Sequence, residues 1–215
     1  MATWIAHMRI AAHFMKKHQA LNNTEFLVGN IGPDCGVPND DWSAFTPDKN
    51  VTHWHNGGED VDAADFKDRY LSELSPNPFY IGYYLHLLTD IEWTKFYKRK
   101  RQYPSYAEGL QKDPQFIWKI KDDWYGQDHL FLLRNPDCIF YTLFAKIREF
   151  DNVYFDFFPK NAFIRQVQYI TNFYLTETDN PDREFPYLSR EEMDAFVQDT
   201  IAVLEEAWPR NNQWI

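Results

Sequence analysis

Residues 77–100 read NPFYIGYYLHLLTDIEWTKFYKRK, a mostly apolar run interrupted by His86 and Asp90 four positions apart. On an α-helix that spacing places both side chains on one face, one turn apart. An apolar helix hides an imidazole and a carboxylate only when each finds a partner. They can serve each other through a hydrogen bond inside a core, or a metal ion can take a ring nitrogen and a carboxylate oxygen together. Which of these holds depends on whether further ligands exist elsewhere in the chain.

Towards the N-terminus, Thr3 is a helix cap for residues 4–18, where Trp4, His7, Met8, Ala11, Phe14 and Met15 recur at helical spacing and form an inner stripe. His7 falls on that buried stripe, whereas His13 and His18 lie off it and are expected at the surface. A short helix is expected from Asn23 or Thr24 through Phe26, Leu27 and Val28. It ends in the turn-rich segment GNIGPDCGVPNDD. Pro33 stiffens the backbone before Asp34 and Gly36 frees it afterwards, which aims the Asp34 side chain. Residues 37–60 read as a long loop holding His53 and His55 before a Gly-Gly pair, with Trp42 and Trp54 arguing for order. A helix at 61–74, with Phe66, Tyr70, Leu71 and Leu74 on one side, leads to Pro76 and Pro78.

Beyond the central stretch, the spacing predicts a helix over 114–133, capped by Asp113 with Pro114 at its first position. Another is expected from Pro136 to about Phe150, and the last two over 161–176 and 189–207. Ser189 with Glu192 three residues on is a capping box. Alternation with hairpin turns is missing; NVYFDFF at 152–158 is the one short-strand candidate and reads better as extended loop. The expected class is therefore all-α, one domain over 1–215 with a metal-site half at about 1–100 and closing helices at about 114–207.

Composition narrows the function. With 44% hydrophobic residues the chain can bury a large core, and its net charge of −10 opposes general binding to a phosphate backbone. No apolar run reaches transmembrane length and the start does not have a signal peptide's order, so a cytoplasmic protein without stable membrane association is expected. Cys35 and Cys138 fit no paired zinc pattern and read as buried reduced thiols. Potential ligands now number three imidazoles and two carboxylates: His7, Asp34, His53, His86 and Asp90. Nitrogen and oxygen donors without thiolates suit zinc, with iron or manganese as alternatives.

In order and spacing, these residues resemble the zinc-dependent phospholipase C family of helical metallohydrolases. The resemblance rests on TWIAHMRIA, FLVGNIGPD, the Thr52-His53 pair and GYYLHLLTD, and spans about residues 4–95. It implies a multi-helix bundle of that type in which Asp34, His53, His86 and Asp90 surround one ion and Asp90 bridges to a second held by His7. Secreted members use a processed N-terminal Trp as a ligand, but here Met1, Ala2 and Thr3 precede Trp4. The family's third site takes two further histidines and a Glu, and only His129 remains, so a three-metal cluster is not expected. Asp128 or His129 can complete a reduced site, and because neighbours diverge by about 100° on a helix only one would face it.

The function that follows is a metal-dependent hydrolase of a small phosphoester, with Asp34 as candidate general base. The alternative is a non-catalytic helical protein with a structural metal site, which would be closed where a catalytic one keeps an open position. An HD-type phosphohydrolase needs a His-Asp dipeptide that this chain lacks.

Overall fold

The computed structural model describes residues 1–215 apart from 42, 56, 59, 73, 74, 114, 177–182, 210–213 and 215. Trp42, Leu74 and Pro114, each assigned a place above, lie outside the described residues. The chain is mainly helical, as its patterning predicts.

The first helix, α1 (Trp4–Lys17), starts where the Thr3 hydroxyl accepts the Ala6 N–H, and it buries Ile5, Ala6, His7, Met8, Ile10, Ala11, Phe14 and Met15. After it, α2 (Thr24–Gly29) is capped by the Asn23 side chain, and a 3-10 turn at Gly32–Asp34 follows. The segment expected to be irregular is partly regular. Val37–Pro38 and Phe45–Thr46 pair as a two-residue antiparallel ladder, and α3 (Lys49–Thr52) delivers His53 as its C-cap. Next come α4 (Ala63–Tyr70) and the central α5 (Pro78–Lys100), which Asn77 caps and whose last turn carries Lys98, Arg99 and Lys100. These cations complement the helix dipole.

The closing half departs from expectation in three places. A helix that the pattern did not announce, α6 (Pro104–Lys112), precedes α7 (Phe116–Arg134). Asp113 therefore ends α6 while its carboxylate accepts the Gln115 N–H, and Gln115 is the N-cap of α7. The helix expected over 136–150 is broken into α8 (Ile139–Thr142) and a 3-10 turn at Phe144–Lys146, after which the chain is extended. Aromatic packing decides this: Phe150 and Tyr154 are drawn onto Phe79, with the Tyr154 ring stacked 3.8 Å away, a reach that a continued helix would not make. No strand forms at 152–158. The last helices are α9 (Ala162–Leu175) and α10 (Arg190–Ala207), the latter with both halves of its capping box in place.

Through its first four turns α5 is buried on nearly every side, including Phe79, Ile81, Tyr83, Leu85, His86, Leu87 and Asp90. A helix apolar all round belongs inside a layer of others, and here α1, α2, α4 and α10 pack on it. Tyr83, Tyr84, Trp54 and Trp93 are all core residues. Cys35 is a buried free thiol and Cys138 a half-buried one. His13 and His18 are half-buried, the former 2.7 Å from Glu205 and the latter stacked on Trp208. No described helix is long and apolar enough to cross a membrane.

Two glycines set the closest helix approach. A Cβ on Gly82 would lie 2.1 Å from the Phe26 carbonyl oxygen, and one on Gly29 would lie 2.0 Å from that of Phe79. Only their absence lets the α2 and α5 backbones touch, which brings the turn carrying Asp34 against His86. Gly82→Ala must push backbone from backbone, and such overpacking costs about 1–3 kcal/mol. We expect thermal unfolding to fall by roughly 2–4 °C for each kcal/mol lost. An unchanged midpoint by circular dichroism would show that the helices are not held at this distance.

Candidate metal centre

Five side chains from four segments converge at the level of the third turn of α5. His86 and Asp90 come from α5, His7 from α1, His53 from the end of α3 and Asp34 from the 3-10 turn. The Asp90 carboxylate is central. Its Oδ1 lies 3.4 Å from His7 Nε2, and its Oδ2 lies 3.4 Å from His86 Nε2 and 3.6 Å from His53 Nε2. His53 Nε2 is also 3.4 Å from Asp34 Oδ1. His7 and His86 stack in parallel, with ring centroids 3.8 Å apart.

These separations identify the arrangement. They exceed the 2.7–3.2 Å of a normal N–H···O bond, so the residues do not satisfy one another. Donors bonded at about 2.0–2.1 Å to a tetrahedral ion stand roughly 3.3–3.4 Å apart, and the observed edges match that spacing. His7 Nδ1 and Nε2, His53 Nε2, His86 Nε2 and Asp90 Oδ2 are buried without a hydrogen-bond partner. The donors fall into two groups able to hold a metal ion, His7 with His86 and Asp90, and Asp34 with His53 and His86.

Neighbouring groups orient the donors. His86 Nδ1 lies 2.8 Å from the Asn30 carbonyl oxygen. A carbonyl only accepts, so Nδ1 carries the proton and Nε2 turns its lone pair inward. His53 Nδ1 is 3.0 Å from the Thr52 hydroxyl. The Tyr83 phenol donates to the Thr52 carbonyl, tying this turn to α5. Trp54, next in the chain, has φ +58°, and its indole N–H donates to Asp65 at 2.7 Å. A bulky residue in that region marks a locally constrained turn, here the one presenting His53. Asp34 Oδ2 accepts the Trp4 indole N–H at 2.9 Å, and Asp90 Oδ1 accepts the Ala2 backbone N–H at 2.8 Å.

Electrostatics separates the residues. Burial and the adjacent His86 lower the His7 pKa to about 4, against the pull of Asp90. Burial likewise lowers His53, opposed by Asp34. For His86, burial is outweighed by the charges of Asp90 and Asp34 and the pKa is raised. Burial would raise both carboxyl groups, yet His53 and His86 hold Asp34 low, and the N-terminal charge, His86 and His7 hold Asp90 low. Both aspartates are thus anions near neutrality.

All five donor side chains are buried, His7 and His86 fully and those of His53, Asp90 and Asp34 to within 5% of full burial. Asp128 and His129 are not brought to the group. Asp128 is buried between α1 and α9, accepting the Thr3 hydroxyl at 2.7 Å and the Tyr174 phenol, and burial raises its pKa to about 7. His129 is half-buried against the rings of Phe173 and Tyr174. At this level of α7 neither side chain faces the cluster. Sequence reasoning missed Ala2, Asn30 and the role of Trp4, and these contacts leave no local signal.

No family model, curated protein or solved structure matches this chain.

Elemental analysis should find metal bound to the purified wild type, and His86→Ala or Asp90→Ala should remove most of it; full metal content in both variants would contradict the geometry. Proton competition adds a second expectation. His86 is the imidazole with the raised pKa, so apparent affinity in a chelator competition should begin to fall near its ordinary value of about 6.5 or above. Affinity constant down to about pH 4 would place the proton elsewhere.

Proposed function

We propose that this chain is a metal-dependent hydrolase of phosphoesters, with zinc as its ion, acting on a small soluble substrate. The observation that carries the reading is the set of buried, partnerless imidazole nitrogens around the partnerless Asp90 Oδ2 at coordination spacing. The resemblance to zinc-dependent phospholipase C points the same way. In this reading Asp34, His53, His86 and Asp90 hold one ion, and His7 with the other Asp90 oxygen holds a second, weaker one.

When bound, such ions lower the pKa of a coordinated water and neutralise charge on phosphoryl oxygens. The chain's own residues do the rest. Trp4 fixes the Asp34 carboxylate through Oδ2, and that oxygen keeps a second lone pair. Asp34 is ionised and in this reading accepts a proton from an attacking water. The Asn30 carbonyl holds His86 in one tautomer and the Thr52 hydroxyl orients the His53 ring, so their inward nitrogens need little reorganisation. The buried walls of α1 and α5 exclude bulk water from the far side.

One observation favours a structural ion instead: the side chains of Asp34, His53, His86 and Asp90 are all 5% exposed or less, as in a closed site. His7 distinguishes the two readings. His7→Ala should lower kcat/KM for chromogenic phosphoesters by at least about tenfold, while one ion per chain and the helical circular dichroism are retained. A wild type inert across a broad panel of phosphomonoesters and phosphodiesters would favour the structural ion. Loss of the tight ion in His7→Ala would show that the donors are shared out differently.

A further inference from the structure

Asp128 is a buried carboxylate outside the metal centre, and only neutral groups serve it. Its Oδ1 accepts the Thr3 hydroxyl at 2.7 Å and its Oδ2 accepts the Tyr174 phenol. Among the described residues no cation stands within ion-pair distance of it. A carboxylate buried on neutral donors costs free energy that an apolar side chain of similar size would not. Filling space between helices does not require one.

What Asp128 grips explains why the cost is borne. Thr3 stands between the two residues that hold the acidic donors of the metal centre. On one side of it the Ala2 N–H reaches Asp90 Oδ1 at 2.8 Å, and on the other the Trp4 indole N–H reaches Asp34 Oδ2 at 2.9 Å. The Thr3 hydroxyl also accepts the Ala6 N–H, so one atom both starts α1 and ties it to α7. Aromatic rings complete the grip. Tyr125, one turn before Asp128 on α7, lies 6.2 Å from the Trp4 ring, and Tyr169, Phe173 and Tyr174 of α9 meet that ring edge-on at 5.8 to 6.1 Å. Residues 2–4 are thus held by α7 and α9 and in turn hold both carboxylates.

We propose that Asp128 is a positioning residue of the metal centre, acting through the Thr3 hydroxyl to fix the Ala2 N–H on Asp90 and the Trp4 indole on Asp34. The proposal rests on the reading of the cluster as a metal centre and not on hydrolysis. Partners that orient metal ligands from outside the coordination shell are worth about 10–100-fold in affinity. Asp128 acts one contact further out, which sets the expected effect at the lower end of that range.

The test uses the full chain, with zinc affinity measured by chelator competition and coordination geometry read from the visible absorption of the protein loaded with Co(II). Thr3→Val and Asp128→Leu should each weaken zinc binding about tenfold and alter the Co(II) bands. Thr3→Ser keeps the hydroxyl and Asp128→Asn keeps an acceptor oxygen, so both should stay close to wild type. Because the two disruptive changes break one link, the double variant should bind no more weakly than the poorer single one. Tyr106→Phe is the control for stability alone: it breaks a hydrogen bond to the Tyr187 carbonyl and should lower the thermal midpoint while leaving affinity and spectrum unmoved. Unchanged zinc affinity and Co(II) bands in Thr3→Val overturn the proposal, and so does an equal loss of affinity in Tyr106→Phe. If Asp128→Leu does not fold, Thr3→Val and its rescue by Thr3→Ser decide the matter. A wild type that binds neither zinc nor Co(II) overturns the metal centre and the proposal with it, whereas wild-type binding that is indifferent to Thr3 and Asp128 overturns the proposal alone.

Discussion

The structure depends on keeping five polar atoms buried without partners. His7 Nδ1 and Nε2, His53 Nε2, His86 Nε2 and Asp90 Oδ2 sit beneath a shell of core side chains. Each unsatisfied buried polar group costs about 1–3 kcal/mol, so the five together cost on the order of the whole net stability of a domain, about 5–15 kcal/mol. The rings avoid one another at hydrogen-bond distance and share a carboxylate at coordination distance. Ions at this cluster would turn the costs at His7, His53 and His86 Nε2 and at Asp90 Oδ2 into bonds, leaving only His7 Nδ1 without a partner.

Holding such a cluster requires precision from parts that carry no chemistry. Gly29 and Gly82 let two backbones meet, and the Asn30 carbonyl thereby reaches His86. Tyr83 ties the turn after α3 to α5, and the start of the chain holds both carboxylates through Ala2, ahead of α1, and Trp4, its first residue. The donors therefore come from segments far apart in the chain but are fixed by short, direct contacts. Preorganisation of this kind suits either a tight structural ion or a catalytic one.

Much of this was legible in the chain itself. The i, i+4 pair on α5, the caps at Thr3 and Ser189 and the stripe of α1 are local patterns, and the helices they announce are present. His7, Asp34 and His53 could be nominated because each interrupts an apolar or turn context with a ligand-type side chain. The failures were non-local. Stacking of Phe150 and Tyr154 on Phe79 stops a helix that propensity would continue, and Asp128 is claimed by Thr3 and Tyr174 from two other helices. Nor could periodicity show that Ala2 reaches Asp90, since a contact across 88 residues has no spacing to read.

The most direct test of the account is a crystal structure of the purified protein with diffraction recorded on both sides of the zinc absorption edge. The account predicts an anomalous peak about 2.0–2.2 Å from His53 Nε2, His86 Nε2, Asp34 and Asp90, with a weaker peak beside His7. A cluster with no anomalous peak, its ring nitrogens hydrogen-bonded to ordered water, would contradict it.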